Sequence, residues 1–326
     1  MRSIARCLAA AFLVACSGGA ALAQTPPEQY PRGPVKFILP FGPGSGSDIA
    51  ARLIADKLQT KWGKPVVVEP RPGGDGLIAI NAFIAAKDDH TLLFASTASF
   101  IVHPYTLQSK PPYDMERDLV PIVRAVDSGL AVAVSTGSGV STLTEFVALA
   151  RKHPGKLNVA GGAGLAELTV RAFVAEQKLD VSIVPYRDII QAGADLAENR
   201  IQLVSASLSM PLPHVQTGKV KVAAIAAPNR TPLAPEIPSA PEAGFPTLGY
   251  ESTVGLYGPA GMGLELRKRI AADVMEALND PVVAKRLFNA GMAVNAQGPE
   301  ELASVVSTQK AATARLADIL GVKPKN

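Results

Sequence analysis

The chain has 326 residues, a hydrophobic content of 48%, and 32 Lys plus Arg against 28 Asp plus Glu, a formal net charge of +4. That length and apolar content favour two packed domains over one. The positive excess is scattered among acids and aromatics are only 5%, so the chain lacks the clustered basic and aromatic face of a nucleic-acid binder.

Arg2 and Arg6 precede an apolar run from Cys7 to Ala15 that is too short to span a bilayer, so residues 1–23 read as a signal peptide. Ala21-Leu22-Ala23 offers small side chains at the two places the peptidase pocket requires, with cleavage expected before Gln24 and export to the periplasm. A second reading stands beside it: Leu13-Val14-Ala15-Cys16 has the form of a lipoprotein box, in which Cys16 would be acylated and anchored. Both cysteines, Cys7 and Cys16, lie in this presequence, so cleavage after Ala23 leaves no thiol and no disulfide. No later apolar stretch is long enough for a transmembrane helix.

Residues 24–34 read as an extended, Pro-rich leader. An apolar strand over 35–39 ends at Pro40, and Ile49, Leu53, Ile54, Leu58 and Trp62 then recur at helical spacing. Strands at 66–68 and 91–95 bracket a helix at 77–86. Strands at 130–134, 157–160, 181–184 and 201–204 then alternate with helices at 143–151, 165–177 and 189–198. This alternation predicts an α/β fold of parallel-rich sheets flanked by helices. A Pro-rich stretch over 228–246 breaks the order, and a strand near 254–256 with helices at 264–278 and 281–289 suggests a return to the first domain. Domain one is expected at 35–123 plus 251–326 and domain two at 124–250, with a ligand cleft at the strand ends between them.

The loop Pro40-Phe41-Gly42-Pro43-Gly44-Ser45-Gly46-Ser47-Asp48 joins the first strand to the first helix. Its glycines let backbone amides approach an anion at the positive end of the helix dipole, Ser45 and Ser47 add hydroxyls, and Asp48 is expected to cap the helix. A turn with no ligand gives the same pattern. The dinucleotide fingerprint needs Gly where Ser47 stands, the nucleotide phosphate loop needs a Lys that is absent, and Ser45 lacks the flanking glycines of a hydrolase elbow. A second Gly-rich loop, Ala160-Gly161-Gly162-Ala163-Gly164, also follows a strand and precedes a helix, which would set two amide cradles face to face. At Tyr186-Arg187-Asp188 a guanidinium can clamp a carboxylate and a phenol can add a donor; Arg187 pairing with Asp188 is the alternative. His90, His103, His153 and His214 have no ligand spacing, so neither metal nor cofactor is expected.

With these motifs in place, the chain resembles the Bug family of periplasmic binding proteins, receptors of tripartite tricarboxylate transporters, over essentially its whole mature length. The resemblance is carried by Pro40-Phe41 with the loop ending in Asp48, by Val68-Glu69-Pro70-Arg71-Pro72-Gly73-Gly74, and by Asp89-His90-Thr91-Leu92-Leu93. Pro112-Tyr113-Asp114, Pro154-Gly155-Lys156-Leu157-Asn158, Val184-Pro185-Tyr186 and Pro241-Glu242-Ala243-Gly244 follow in the family's order. It implies a two-domain periplasmic-binding-protein fold of the class II type and a non-enzymatic receptor that captures a small organic carboxylate, a dicarboxylate first, for membrane permease subunits. A monomer is expected. The implied contacts are Phe41, Gly44, Ser45, Gly46, Ser47, Asp48, Ser96 and Thr97 on one side, and Gly162, Ala163, Gly164, Glu167, Tyr186, Arg187, Asp188 and Ser207 on the other. The chain departs from the family pattern where Glu167 stands near a common His, where Asp188 replaces Gly, where Asp75 interrupts the glycines after Arg71, and where the second Gly-rich loop is about two residues short. A sensor subunit presenting its ligand to a signalling partner, and an α/β enzyme acting on a carboxylate, are the alternatives.

Overall fold

Val35, Phe37, Ile38 and Leu39 are all buried, so both faces of strand β1 (Val35–Leu39) are covered, as in a sheet with helices on each side. The computed structural model describes residues 29–325 apart from Ala163, Arg187, Asp188, Glu251 and the side chain of Ile190. The expected signal peptide, its cleavage site, Cys7 and Cys16 lie outside the described residues.

After β1 come α1 (Gly46–Trp62), β2 (Val66–Pro70), α2 (Leu77–Ala86), β3 (Thr91–Ser96), three short helices α3 (Ala98–Ile101), α4 (His103–Thr106) and α5 (Met115–Asp118), and β4 (Leu119–Ser128). Next follow β5 (Leu130–Ser135), α6 (Leu143–Lys152), β6 (Asn158–Gly161), α7 (Leu165–Glu176), β7 (Ser182–Ile183), α8 (Ile189–Ala197), β8 (Leu203–Ser207), α9 (Leu212–Gln216) and β9 (Val220–Ile225). The chain closes with β10 (Thr253–Pro259), α10 (Leu264–Leu278), α11 (Pro281–Asn289), β11 (Met292–Gln297) and α12 (Pro299–Ile319). Local signals explain several helix ends. Gly63 terminates α1 in the left-handed conformation, Thr142 and Glu145 form a capping box on α6, and Asp280 caps α11 with Pro281 behind it.

Two sheets result, in the orders β11-β4-β10-β3-β1-β2 and β7-β6-β8-β5-β9. In the first, Phe37, Leu39, Leu58, Ile270 and Leu287 pack one face against α1, α10 and α11, while Ile80, Phe83, Leu93 and Leu302 fill the other. In the second, Val132, Phe146, Val159 and Phe173 pack under α6 and α7, and Leu196, Ile201 and Val204 lie under α8.

The expected parallel pairing holds for β1 with β2 and β3, and for β6 with β7 and β8. The other pairings between these named strands are antiparallel, so both sheets are mixed. Strands β3 with β10 and β5 with β8, all expected, pair antiparallel, and the rest of the antiparallel pairing involves β4, β9 and β11, which the expected alternation leaves out. In β4, Pro121 sits where the register with β10 shifts, as a residue without an N–H must. Buried Arg124 interrupts the same strand and bonds Asp127, which also accepts from Thr253 Oγ1 at 3.0 Å and Asn295 Nδ2 at 2.6 Å. Buried polar residues thus tie β4, β10 and β11 together, and a count of apolar positions misses them. Because β4 stays in the first sheet as far as Ser128, the domain boundary expected at Val123 falls inside a strand, and the chain changes sheets at Gly129.

Candidate functional site

A cavity of about 560 Å³ opens between the two sheets. Pro40, Phe41 and Ser96 follow or end β1 and β3, Gly162, Ala206 and Ser207 follow or end β6 and β8, and all six line it. Ser128, Leu130, Tyr250 and Ser252 form its wall where the chain crosses between sheets. The cavity therefore sits beyond the carboxyl ends of the parallel strands, where the backbone leaves the ladder with its polar groups free to turn toward a ligand.

Four helices begin at this cavity: α1 at Ser47, α2 behind Gly76, α7 at Gly164, Leu165 and Ala166, and α8 at Ile189. First-turn amides have no intrahelical acceptor, and each helix carries partial positive charge at this end. Among the described lining residues there is no Lys, Arg or His. Among these described residues, an anion would meet backbone dipoles and hydroxyls from both sheets. Ser96 Oγ accepts from the Ala98 amide at 3.3 Å, which leaves its own proton for a ligand. Burial holds the Tyr250 phenol well above its ordinary pKa, so it too is a donor.

The first loop is braced by its own polar groups. Ser45, not the expected Asp48, is the N-cap of α1, its Oγ accepting from the Asp48 amide at 3.2 Å. Asp48 lies a turn further in, buried, accepting from the Gly44 amide at 2.9 Å and from Arg52 Nε at 3.1 Å. Burial works against its charge, but the Arg52 hydrogen bond, the Gly44 amide and the guanidinium charge outweigh it and hold the carboxyl below the usual range. Gly46 packs against the turn from α11 into β11, where a Cβ would stand 3.1 Å from the Ala290 carbonyl oxygen. Thr97 is fully buried, its Oγ1 donating to the Thr253 carbonyl at 3.1 Å. Of the expected contacts on this side, Phe41, Ser47 and Ser96 line the cavity; Gly44, Ser45, Gly46, Asp48 and Thr97 support the residues that do.

On the opposite side Gly162, Gly164 and Ser207 line the cavity. Gly162 donates its amide to the Ser205 carbonyl at 2.9 Å, and Ser207 Oγ lies 3.0 Å from Ser209 Oγ. Glu167 does not line the cavity; it pairs with Arg171 one turn along α7, Nη2 to Oε1 2.6 Å, on a half-exposed face. Tyr186 is also absent from the lining. Its hydroxyl donates to Asp195 Oδ2 at 2.7 Å, and burial together with that bond pushes its pKa up to about 12. Ala163, Arg187 and Asp188 lie outside the described residues.

Sequence reasoning overlooked a third loop as a wall of the site. Gly73, Gly74, Asp75 and Gly76 line the cavity, and all four have positive φ, 112°, 58°, 52° and 94°. Behind them His103, fully buried, donates from Nε2 to the Asp75 carbonyl at 2.9 Å and accepts at Nδ1 from the Tyr113 hydroxyl at 2.6 Å. Burial lowers the His103 pKa, which favours this neutral tautomer. The repeated glycines after Arg71 were the available signal; nothing in the sequence placed His103 beneath them.

Comparisons with known proteins agree with this geometry. The family model described as the tripartite tricarboxylate transporter family receptor matches residues 50–322. A UPF0065 protein of Bordetella bronchiseptica is 30% identical over 97% of this chain and 93% of its own length. Among solved structures, the periplasmic binding protein BugD is 25% identical, covering 90% of this chain and 99% of that one, with a TM-score of 0.73. MatC from Rhodopseudomonas palustris with bound malate is also 25% identical, covering 89% and 99%, with a TM-score of 0.70. The chain belongs to the tripartite tricarboxylate transporter receptor family, a family of Bug-type periplasmic solute-binding proteins.

Proposed function

We propose that the protein is an extracytoplasmic receptor that captures a small organic carboxylate by closing its two lobes and hands it to the membrane permease subunits of a tripartite transporter, with no bond made or broken. The observation that carries this reading is the convergence of four helix N-termini on one cavity without a lining cation among the described residues. Such a site holds a carboxylate by preorganised amides, so little ordering entropy is lost on binding. The lobes would hinge where the chain changes sheets, at Ser128–Leu130 on one strand and near Ser252 on the other. A dicarboxylate is the favoured ligand, supported by the malate bound to MatC. The presequence would direct export, with cleavage after Ala23 or acylation at Cys16 deciding whether the mature receptor is free or anchored.

A thermal-shift screen of the mature protein, unfolded and refolded to strip bound ligand, against mono-, di- and tricarboxylates, amino acids and aromatic acids tests the reading. A specific acid at a hundredfold excess over its Kd should add about 2.7 kcal/mol. The acid should be recovered unchanged. Absence of a shift with every acid would remove the carboxylate assignment, and turnover of the bound acid would make the protein an enzyme.

A further inference from the structure

Among the described residues that line the cavity, Asp75 carries the only charged side chain. It is exposed, and no hydrogen bond or ion pair to its carboxylate occurs among the described residues. An acid at the start of a helix often serves as a cap, but no side-chain cap bond is made at this turn or at the start of α2. The backbone is also unfavourable for a side chain. Asp75 sits at φ 52° and ψ 29° in a run otherwise made of glycines. Glycine suits that conformation best, with Asp among the few residues that tolerate it.

What fixes Asp75 in place is its carbonyl, not its carboxylate. His103 Nε2 holds that oxygen from beneath, and Tyr113 holds His103 in turn. The side chain is thereby presented to the cavity, where no described residue bonds it, opposite described walls that otherwise offer amides and hydroxyls. A carboxylate there attracts a hydroxyl or ammonium donor on the ligand and repels a second carboxylate brought against it.

We infer that Asp75 sets which acids this receptor accepts: it selects carboxylic acids that also bear a hydroxyl or a protonated amine over the same acids without one. The inference rests on the carboxylate-receptor reading above and narrows its ligand class to hydroxy and amino acids, including dicarboxylic ones whose second carboxylate lies away from Asp75. Asp75 thus rejects by repulsion as well as selecting by pairing.

The test is calorimetric titration of the mature, refolded protein with matched trios that differ in one substituent: succinate, malate and aspartate, and propanoate, lactate and alanine. In the wild type, a donor-bearing member should bind about tenfold or more tightly than its plain partner, the scale of one charge-assisted hydrogen bond. Asp75→Gly, which suits the left-handed backbone, should compress that ratio to about threefold or less, with the plain acid gaining. Asp75→Asn keeps size and backbone tolerance but loses the charge, so it should weaken aspartate and alanine more than malate and lactate. A plain acid binding tightest to the wild type, or a ratio unchanged in Asp75→Gly, would overturn the inference and leave the receptor reading intact. If none of the six acids bound, the inference would fall, while the receptor reading would stand or fall on the wider thermal-shift screen.

Discussion

The two Gly-rich loops that face each other across the cavity, residues 40–48 and 161–167, look alike in sequence and are held in different ways. In the first, polar side chains hold the turn: Ser45 caps α1, and Asp48 grips Gly44 and Arg52. In the second, α7 has no side-chain cap, and close contact holds the turn instead. A Cβ on Gly161 would stand 2.7 Å from Glu167 Cα and 2.8 Å from the Ala166 carbonyl oxygen. Glycine content alone therefore identifies neither the residue that contacts a ligand nor the force that positions it. The first loop is held chiefly by side-chain hydrogen bonds and charge, the second chiefly by close backbone contact at Gly161 with one backbone bond from Gly162 to Ser205, and substitutions should separate the two.

The largest effect should come from the packed loop. Gly161→Ala places a methyl group against backbone that cannot swing aside, so α7 must move away from β6, at a cost of about 2 to 3 kcal/mol by analogy with overpacked cores. Because Gly164, Leu165 and Ala166 line the cavity at the start of α7, ligand affinity should fall along with stability. Urea unfolding and ligand titration of the same variant measure both. An affinity preserved despite a stability loss would mean that the start of α7 does not position the ligand.

Asp48→Ala comes next. It strands the Gly44 amide and Arg52, and loss of a buried charged acceptor should cost about 2 kcal/mol in urea unfolding. The wild type should show the matching pH dependence. The folded pKa of Asp48 is depressed, so its contribution is fully present above the unfolded value, about 3.9, and is lost as pH falls through the folded one. Asp48→Ala should be less sensitive to acid over that window, and an unchanged acid limb would show that another carboxylate dominates there. Ser45→Ala removes the α1 cap and should cost about 1 kcal/mol, with the loop still formed because Asp48 remains.

These differences also show what the sequence made legible. Helices α2, α10 and α11 and most strands of the α/β alternation were readable because their apolar residues recur at one period or fill one short run. The cleft was readable because Gly-rich turns follow strands on both sides. Whether Ser45 or Asp48 caps α1 was not, because both are good capping residues three positions apart and the choice depends on where the first turn tightens. Strands β4 and β11 were hidden by the network of buried Arg124 with half-buried Asp127 and Asn295, whose members look like surface residues until they are seen together. The burial of His103 under Asp75 depends on contacts between residues 28 positions apart, for which local pattern has no signature.

Glu167 carries the smallest expected effect and discriminates between resemblance and geometry. The family resemblance made it a candidate ligand contact, yet it lies outside the cavity lining. Its side chain pairs with Arg171 at the spacing of adjacent helical turns, with side-chain exposures of 36% for Glu167 and 47% for Arg171. An ion pair this exposed is worth about 0.3 to 0.5 kcal/mol, since solvent screens it and both side chains lose freedom to form it. Glu167→Gln keeps the shape and removes the charge, so stability should change by no more than about 0.5 kcal/mol. Ligand affinity should stay within about twofold, because the amides that begin α7 are unaltered. A much larger loss of affinity, with stability unchanged, would mean that α7 turns on closing to bring Glu167 into the site, and that the second loop moves where the first, bound by its own hydrogen bonds, does not.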